Sequence, residues 1–276
     1  MAKKFFGSMR LKLSVLIPAY NEEGSVRETV LGVFDVLTKE NIPHEILVIN
    51  DHSTDRTEEI LNKVATEIRT FRKINNLLPN GFGYAVRCGL GNFKGDCVAL
   101  FMADGSDSPS DLVRFYRTMV ESNCDAVFGS RFIPGGQTVD YPPVKLFINR
   151  LANSLIRFLF GLKYNDITNA FKMYRAETIE GLKPFLSAHF NLTVELPLKV
   201  VVRGYSYTWL SNQWVNRKAD ATKLKLKEMG SRYLFIVLYC LMEKYLTRGD
   251  YVKNKLSPLP HHGLCYEETK IHRYRI

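Results

Sequence analysis

The chain has 276 residues, 46% of them hydrophobic, so it is long enough to bury a sizeable core as one domain, with or without an appended tail. No run reaches the 18 or so apolar residues of a membrane span, residues 1–10 lack a signal-peptide core, and the five cysteines (Cys88, Cys97, Cys124, Cys240, Cys265) have no paired metal-ligand spacing, which points to reduced thiols in the cytoplasm. The net charge of +10 fits nucleic acid, anionic lipid, a phosphate-rich substrate or a merely soluble surface, and does not choose among them.

The first apolar run, Leu13 to Pro18, leads into Ala19-Tyr20-Asn21-Glu22-Glu23, and Val26, Val30, Val33 and Leu37 then recur at helical spacing. Glu45 to Ile49 leads likewise into Asn50-Asp51-His52-Ser53-Thr54-Asp55, followed by a helical pattern in Ile60, Leu61, Val64 and Ile68. Val98-Ala99-Leu100-Phe101-Met102 ends in Ala103-Asp104-Gly105-Ser106-Asp107-Ser108-Pro109. Runs without alternation read as strands buried on both faces of a parallel sheet, and ligands bind at the carboxyl ends of such strands. The β-α-β-α order therefore predicts an α/β fold with three polar clusters on one rim. Asp104 and Asp107 there make a seat for a hard divalent cation and its phosphates. In the bland alternative, Asp104 turns the chain and Asp107 or Ser108 caps the helix opening at Pro109.

Further along, the strand Ala126-Val127-Phe128 precedes Gly129-Ser130-Arg131. Between Leu146 and Leu162, Phe147, Leu151, Leu155, Phe158 and Leu159 share a helical spacing, with Arg150 and Arg157 placed to extend toward headgroups, as in an interfacial helix. Leu192 to Val202 reads as an apolar helix carrying Glu195. Tyr233 to Met242, flanked by Arg232 and Lys244, reads equally as a core helix or a membrane contact. From Gln213 onward 13 Lys and Arg face 6 Asp and Glu, so the basic surplus lies at the C-terminal end. His261, His262, Cys265 and His272 read as a solvated tail rather than a zinc site.

In combination, Pro18-Ala19-Tyr20-Asn21-Glu22, Asn50-Asp51-His52-Ser53-Thr54-Asp55 and Asn80-Gly81-Phe82-Gly83-Tyr84-Ala85 resemble the signatures of family two glycosyltransferases of the GT-A fold. Gly129-Ser130-Arg131, Asp166-Ile167-Thr168-Asn169-Ala170-Phe171-Lys172, and Arg217 with Lys223 are similar to later motifs of the polyprenol-phosphate sugar synthases, such as dolichyl-phosphate mannose synthase. The chain departs from that pattern at Met102, where those synthases carry an Asp, at Ser106 in place of a Gln, at Asn50 in place of the first Asp of its motif, and across residues 219–223.

The resemblance implies a mainly parallel sheet flanked by helices, with a glycosyltransferase domain over residues 1–226 (nucleotide half about 11–130, acceptor half about 131–226) and a basic helical extension over 227–276. It implies an inverting, metal-dependent hexosyltransferase using a donor of the GDP-mannose or UDP-glucose type and a polyprenyl phosphate acceptor. Pro18, Tyr20, Glu22, Asp51, Ala103 and Asp104 would bind the nucleotide, and Asp104 with Ser106 or Asp107 would hold Mg²⁺ or Mn²⁺. Arg131, Arg217 and Lys223 would meet the acceptor phosphate, with Lys172 and Arg175 as lesser candidates. The enzyme would be cytoplasmic and peripheral at the inner face of the membrane. The rival reading is transfer to a sugar hydroxyl in surface polysaccharide synthesis, which requires a general base, and Glu195 is its candidate. Nucleic acid is not expected as a partner, since rim carboxylates repel a phosphate backbone.

Overall fold

The computed structural model describes residues 10–216 and 226–253; Arg217, Lys223 and the His261–His272 tail lie outside the described residues. The elements run β1 (Leu13–Ala19), α1 (Val26–Lys39), β2 (His44–Asn50), α2 (Thr57–Glu67), β3 (Phe71–Asn75), α3 (Phe82–Leu90), β4 (Cys97–Leu100), α4 (Pro109–Ser122) and β5 (Ala126–Ser130). There follow β6 (Gln137–Val139), α5 (Pro143–Phe160), β7 (Lys172–Arg175), α6 (Ala176–Gly181), α7 (Leu192–Val202), β8 (Tyr207–Ser211), β9 (Gln213–Val215) and α8 (Leu226–Leu246).

Seven strands form one sheet in the order β3-β2-β1-β4-β7-β5-β8, parallel except for β7, which runs antiparallel to β4 and β5. Alternate residues of each strand enter opposite cores. Leu13, Val15 and Ile17 meet α1, α2 and α4 through Val30, Leu61 and Phe115, whereas Leu16, Leu47 and Leu100 face Val86, Ile156, Leu196 and Ile236 of α3, α5, α7 and α8. Two covered faces explain why the strands read as nearly continuous apolar runs.

β1 pairs with β2 on one side and β4 on the other, so the strand order reverses beside it. The crevice at such a reversal is where open α/β sheets take ligands. β6 and β9 form a separate two-stranded ribbon that lies across the β4 end, with Asp107 bridging Trp214 and Val215 N–H donating to Ser106 O at 3.1 Å. α8 packs its inner side on α7, burying Ile236, Val237 and Cys240, and a buried Arg203–Glu243 pair ties the two helices at 2.6 Å. The chain after α8 folds back, where Lys253 pairs with Asp125 at 2.8 Å.

α3 approaches the 186–191 segment so closely that a Cβ on Gly83 would stand 2.5 Å from the Ala188 carbonyl carbon and 2.6 Å from His189 N. Backbone cannot yield as a side chain can. Gly83→Ala should therefore destabilise the fold by about 1–3 kcal/mol despite alanine's better helix propensity. Gly24→Ala, with nothing within 4 Å, should stay within about 0.5 kcal/mol. Thermal unfolding of the two variants beside the parent checks the contrast.

Candidate active site at the strand ends

The loops leaving β1 and β2 are stitched together by side chains that satisfy each other's backbone. Asn21 N–H donates to Ser53 Oγ (3.1 Å), Thr54 N–H to Asn21 Oδ1 (2.8 Å), Glu22 N–H to Thr57 Oγ1 (2.8 Å) and Glu23 N–H to Asp55 Oδ2 (3.1 Å). Pro18 is buried at the strand end, Tyr20 is 40% exposed, and Glu22 accepts from Ser25 Oγ at 2.9 Å. Asp51 is buried with both oxygens engaged: Asn76 Nδ2 donates to Oδ1 at 2.7 Å, and Gly81 N–H to Oδ2 at 2.9 Å. The carboxylate expected to bind the nucleotide thus also anchors the turn that opens α3.

Beyond β4, Ala103 is buried and its carbonyl accepts from Thr29 Oγ1 at 3.0 Å. Asp104 folds over its own loop, Oδ1 accepting Ser106 N–H at 2.9 Å, with Gly105 at φ +66° making the turn. Asp107 is buried, and Oδ2 turns back to accept Met102 N–H at 3.2 Å. Burial and then the neighbouring Asp104 charge push the Asp107 carboxyl up to about 7. Among the described residues, buried Ser106 Oγ has no hydrogen-bond partner. Helix capping does not account for these groups: Ser108 holds the N-cap position of α4 with no side-chain cap bond, and its Oγ meets Ser110 Oγ instead. Two mutually repelling carboxylates and an orphaned hydroxyl oxygen make a hard-cation donor set. Among the described residues no group of three His, Cys, Asp or Glu side chains comes together as a metal site, so water and a ligand would have to supply the remaining positions.

Facing these acids is a cationic wall. Arg131, at the end of β5, is buried in a side-on pair with the fully buried Asp166: Nε to Oδ2 at 2.8 Å, Nη2 to Oδ1 at 2.7 Å, and its own N–H to Oδ2 at 3.0 Å. The guanidinium stands 5.7 Å from the Tyr141 ring centroid, as does Lys145 Nζ. Lys145, in the first turn of α5, is a residue the motifs did not single out. It is half-buried, and its ammonium is pulled below the usual lysine range first by burial and then by Arg131, while Asp104 acts in the opposite sense. Trp214 of β9 packs on Tyr141 at 4.9 Å between centroids. Asn216 N–H donates to Val139 O of the same ribbon.

Other candidates are engaged elsewhere. Lys172 is buried and donates to the Ile167, Asn169 and Thr193 carbonyls, and Arg175 binds Cys124 O and Asn123 Oδ1. Glu195 is fully buried, accepting Leu186 N–H (2.8 Å) and Ser187 N–H (2.7 Å) and pairing with Lys199 at 2.6 Å. Buried in this way, it cannot serve as a base for an acceptor arriving from solvent. Arg150 lies over the Phe132 ring at 4.4 Å, and Arg157, although exposed, is tied through Nε to Leu162 O at 3.0 Å.

α5 exposes Val144, Phe147, Leu151, Leu155 and Phe158, each more than half exposed. α8 exposes Leu234, Phe235, Leu238, Met242 and Leu246 on the side away from α7. The Tyr233–Met242 segment is thus a core helix on one side and an open apolar surface on the other. The two helices pack against each other, with Lys244 Nζ donating to Phe160 O at 3.2 Å. No helix among the described residues is long and apolar enough to cross a membrane.

Residues 14–182 match the sequence model of Glycosyl transferase family 2. The chain is 28% identical over 216 residues to polyprenol monophosphomannose synthase of Mycolicibacterium smegmatis, covering 76% of this chain and 80% of that protein. It is 27% identical over 240 residues to undecaprenyl-phosphate mannosyltransferase of Micrococcus luteus, covering 85% and 96%. The structure superposes with a TM-score of 0.62 on glucosyl-3-phosphoglycerate synthase of Mycobacterium tuberculosis, crystallised with Mn²⁺, UDP-glucose and phosphoglyceric acid, at 17% identity over 85% of this chain and 79% of that one. The fold is the GT-A fold.

The Arg131–Asp166 pair yields a stability test. Removing one charge of a buried pair leaves the other unpaired, so Asp166→Asn should cost about 3 kcal/mol in denaturant unfolding. Arg27→Ala, which breaks a surface pair with Glu67 that is nearly half exposed, should cost under about 1 kcal/mol.

Proposed function

The chain belongs to Glycosyl transferase family 2, and on that premise we propose that it moves one hexose, with inversion, from a nucleoside diphosphate sugar of the GDP-mannose or UDP-glucose type to a polyprenyl phosphate. The observation that carries this reading is the pairing, at one rim, of the Arg131–Lys145 wall with the exposed apolar faces of α5 and α8. A phosphate monoester is already ionised near neutral pH and needs cations rather than a base. Arg131 and Lys145 would supply them; Arg217 and Lys223, which the family resemblance adds, lie outside the described residues. Guanidinium geometry suits phosphate oxygens, and Asp166 holds Arg131 in one orientation. A hydroxyl acceptor would require a carboxylate to take its proton, and the burial of Glu195 weighs against that rival.

Pro18, Tyr20, Glu22 and Asp51 form the nucleoside side of the crevice, with Ala103 at its floor. Asp104, Asp107 and Ser106 would hold Mg²⁺ or Mn²⁺, which when bound offsets the charge that grows on the leaving diphosphate. The buried, unpartnered Ser106 hydroxyl supports that assignment. The apolar faces of α5 and α8 would rest on the membrane surface, placing the acceptor's phosphate at the rim while its tail stays in lipid. The enzyme would work at the cytoplasmic face.

The reaction is tested by incubating the purified protein with labelled GDP-mannose or UDP-glucose, Mn²⁺ and polyprenyl phosphate. Label should pass into the organic phase, and label confined to water-soluble glycan would reject the reading. Phe147→Asp with Leu151→Asp should abolish cosedimentation with vesicles and leave nucleotide affinity unchanged.

The metal assignment predicts a pH dependence. A protonated Asp107 is no ligand, and its carboxyl titrates at about 7. Mn²⁺ affinity, read by paramagnetic water relaxation, should rise from about pH 6 to about pH 8 and then level off, and Asp107→Asn should remove the rise. Asp104→Asn should lose most turnover while keeping its melting temperature.

A further inference from the structure

β9 and the residue after it join the two halves of the rim. Gln213 N–H donates to Asp111 Oδ2 at 3.0 Å, in the first turn of α4. The backbones of Trp214 and Asp107 then form an antiparallel bridge, and Val215 N–H donates to Ser106 O at 3.1 Å, so the strand lies along the loop that carries the acids. Its other contacts reach the cations. The Trp214 ring packs at 4.9 Å on Tyr141, whose own ring stands 5.7 Å from both the Arg131 guanidinium and Lys145 Nζ. Asn216 donates from N–H to Val139 O and from Nδ2 to Asp140 O, both at 3.0 Å, and Asp140, at φ +55°, is the residue that turns the chain into Tyr141.

The two sets of ties differ in kind. Those to the acid loop use the backbone of β9, whereas Tyr141 is met by one side chain, the Trp214 ring. Replacing that side chain therefore leaves the strand seated on Ser106 and Asp111 and removes its packing on Tyr141. Arg131 keeps its own anchor in Asp166. What changes is the placement of the wall against the loop. Transfer between a group held by the acids and a group held by the cations depends on that placement, and an error of about 1 Å can cost about a hundredfold in rate.

We propose that Trp214 is a positioning residue: through Tyr141 it sets the separation of the acid loop from the Arg131–Lys145 wall, and so aligns the acceptor oxygen with the sugar's anomeric carbon without touching either. The inference rests on the reading of the acids as the seat of the metal-bound diphosphate and of the wall as the seat of the acceptor phosphate. Trp214→Leu removes the ring and keeps an apolar side chain, and Trp214→Phe keeps a ring. In the leucine variant kcat with polyprenyl phosphate should fall by about tenfold or more, while the affinities for Mn²⁺ with UDP or GDP and for citronellyl phosphate, each measured alone by calorimetry, stay within about threefold of the parent. The phenylalanine variant should recover most of the rate.

Parent kcat in the folded leucine variant overturns the proposal. So does a loss of nucleotide affinity that accounts for the lost rate, which would place Trp214 in the sugar-donor site, or a rise in acceptor KM at unchanged kcat, which would make it one more part of the wall. A second measurement needs no turnover. The chain has two tryptophans, Trp209 and Trp214, so Trp209→Phe leaves Trp214 as the sole indole reporter. Its emission should be quenched by Mn²⁺ at the acid loop and should change again when citronellyl phosphate is added. Emission indifferent to both, where water relaxation and calorimetry show both bound, overturns the proposal. A parent that binds both ligands yet forms no lipid-linked sugar rejects the acceptor reading, and the Trp214 emission then decides whether the ring links the two halves.

Discussion

The backbone amides that emerge from a sheet buried on both faces must all be bonded, and at this rim side-chain oxygens of neighbouring loops bond them. Asp51 takes Gly81 N–H, Asp55 takes Glu23 N–H, Asp104 takes Ser106 N–H, Asp107 takes Met102 N–H, Asp111 takes Gln213 N–H and Asp166 takes Arg131 N–H. Each acid fixes a loop before it does anything else. The crevice is consequently preorganised, and a ligand meets oxygens whose positions are already set.

Buried ion pairs extend the same logic inward. Glu195–Lys199 fixes the turn into α7, Arg203–Glu243 joins α7 to α8, and Arg131–Asp166 sets the cationic wall. Such pairs contribute little net stability against apolar replacements, yet breaking one is costly, so they specify geometry. Arg203–Glu243 has a further consequence: by committing one side of α8 to α7, it leaves the opposite side, with Leu234, Leu238 and Met242, facing outward.

The parallel half of the sheet was readable because Leu13–Pro18, Glu45–Ile49 and Val98–Met102 are almost wholly apolar runs, polar only at Ser14 and Glu45, closed by polar clusters. β7 was not, since Lys172–Arg175 is short and charged at both ends, and its insertion between β4 and β5 depends on long-range pairing that periodicity does not record. The β6–β9 ribbon escaped for the same reason. Asp104, Ser106 and Asp107 stood out as a cluster in the chain. Lys145 did not, because a single lysine after Pro142-Pro143 resembles any helix start, and only the fold carries it to Tyr141 and Arg131. Glu195 shows the converse. Its place in the chain suggested chemistry, whereas the i,i+4 Lys199 and two backbone N–H groups claim it for structure.

What remains unsatisfied is as informative as what is bonded. Asp104 and Asp107 sit together in a loop where burial and mutual repulsion hold the Asp107 carboxyl high. Across the crevice, burial and Arg131 hold the Lys145 ammonium low. Each pair opposes itself, and each is relieved by an ion of opposite sign: a divalent cation between the acids, a phosphate between the cations. The two like-charged pairs also attract across the gap, since Asp104 acts on Lys145 against its neighbours. A ligand carrying only one of those signs relieves half of the strain. On the proposed reading, a metal-bound diphosphate facing a phosphate acceptor would relieve both halves at once.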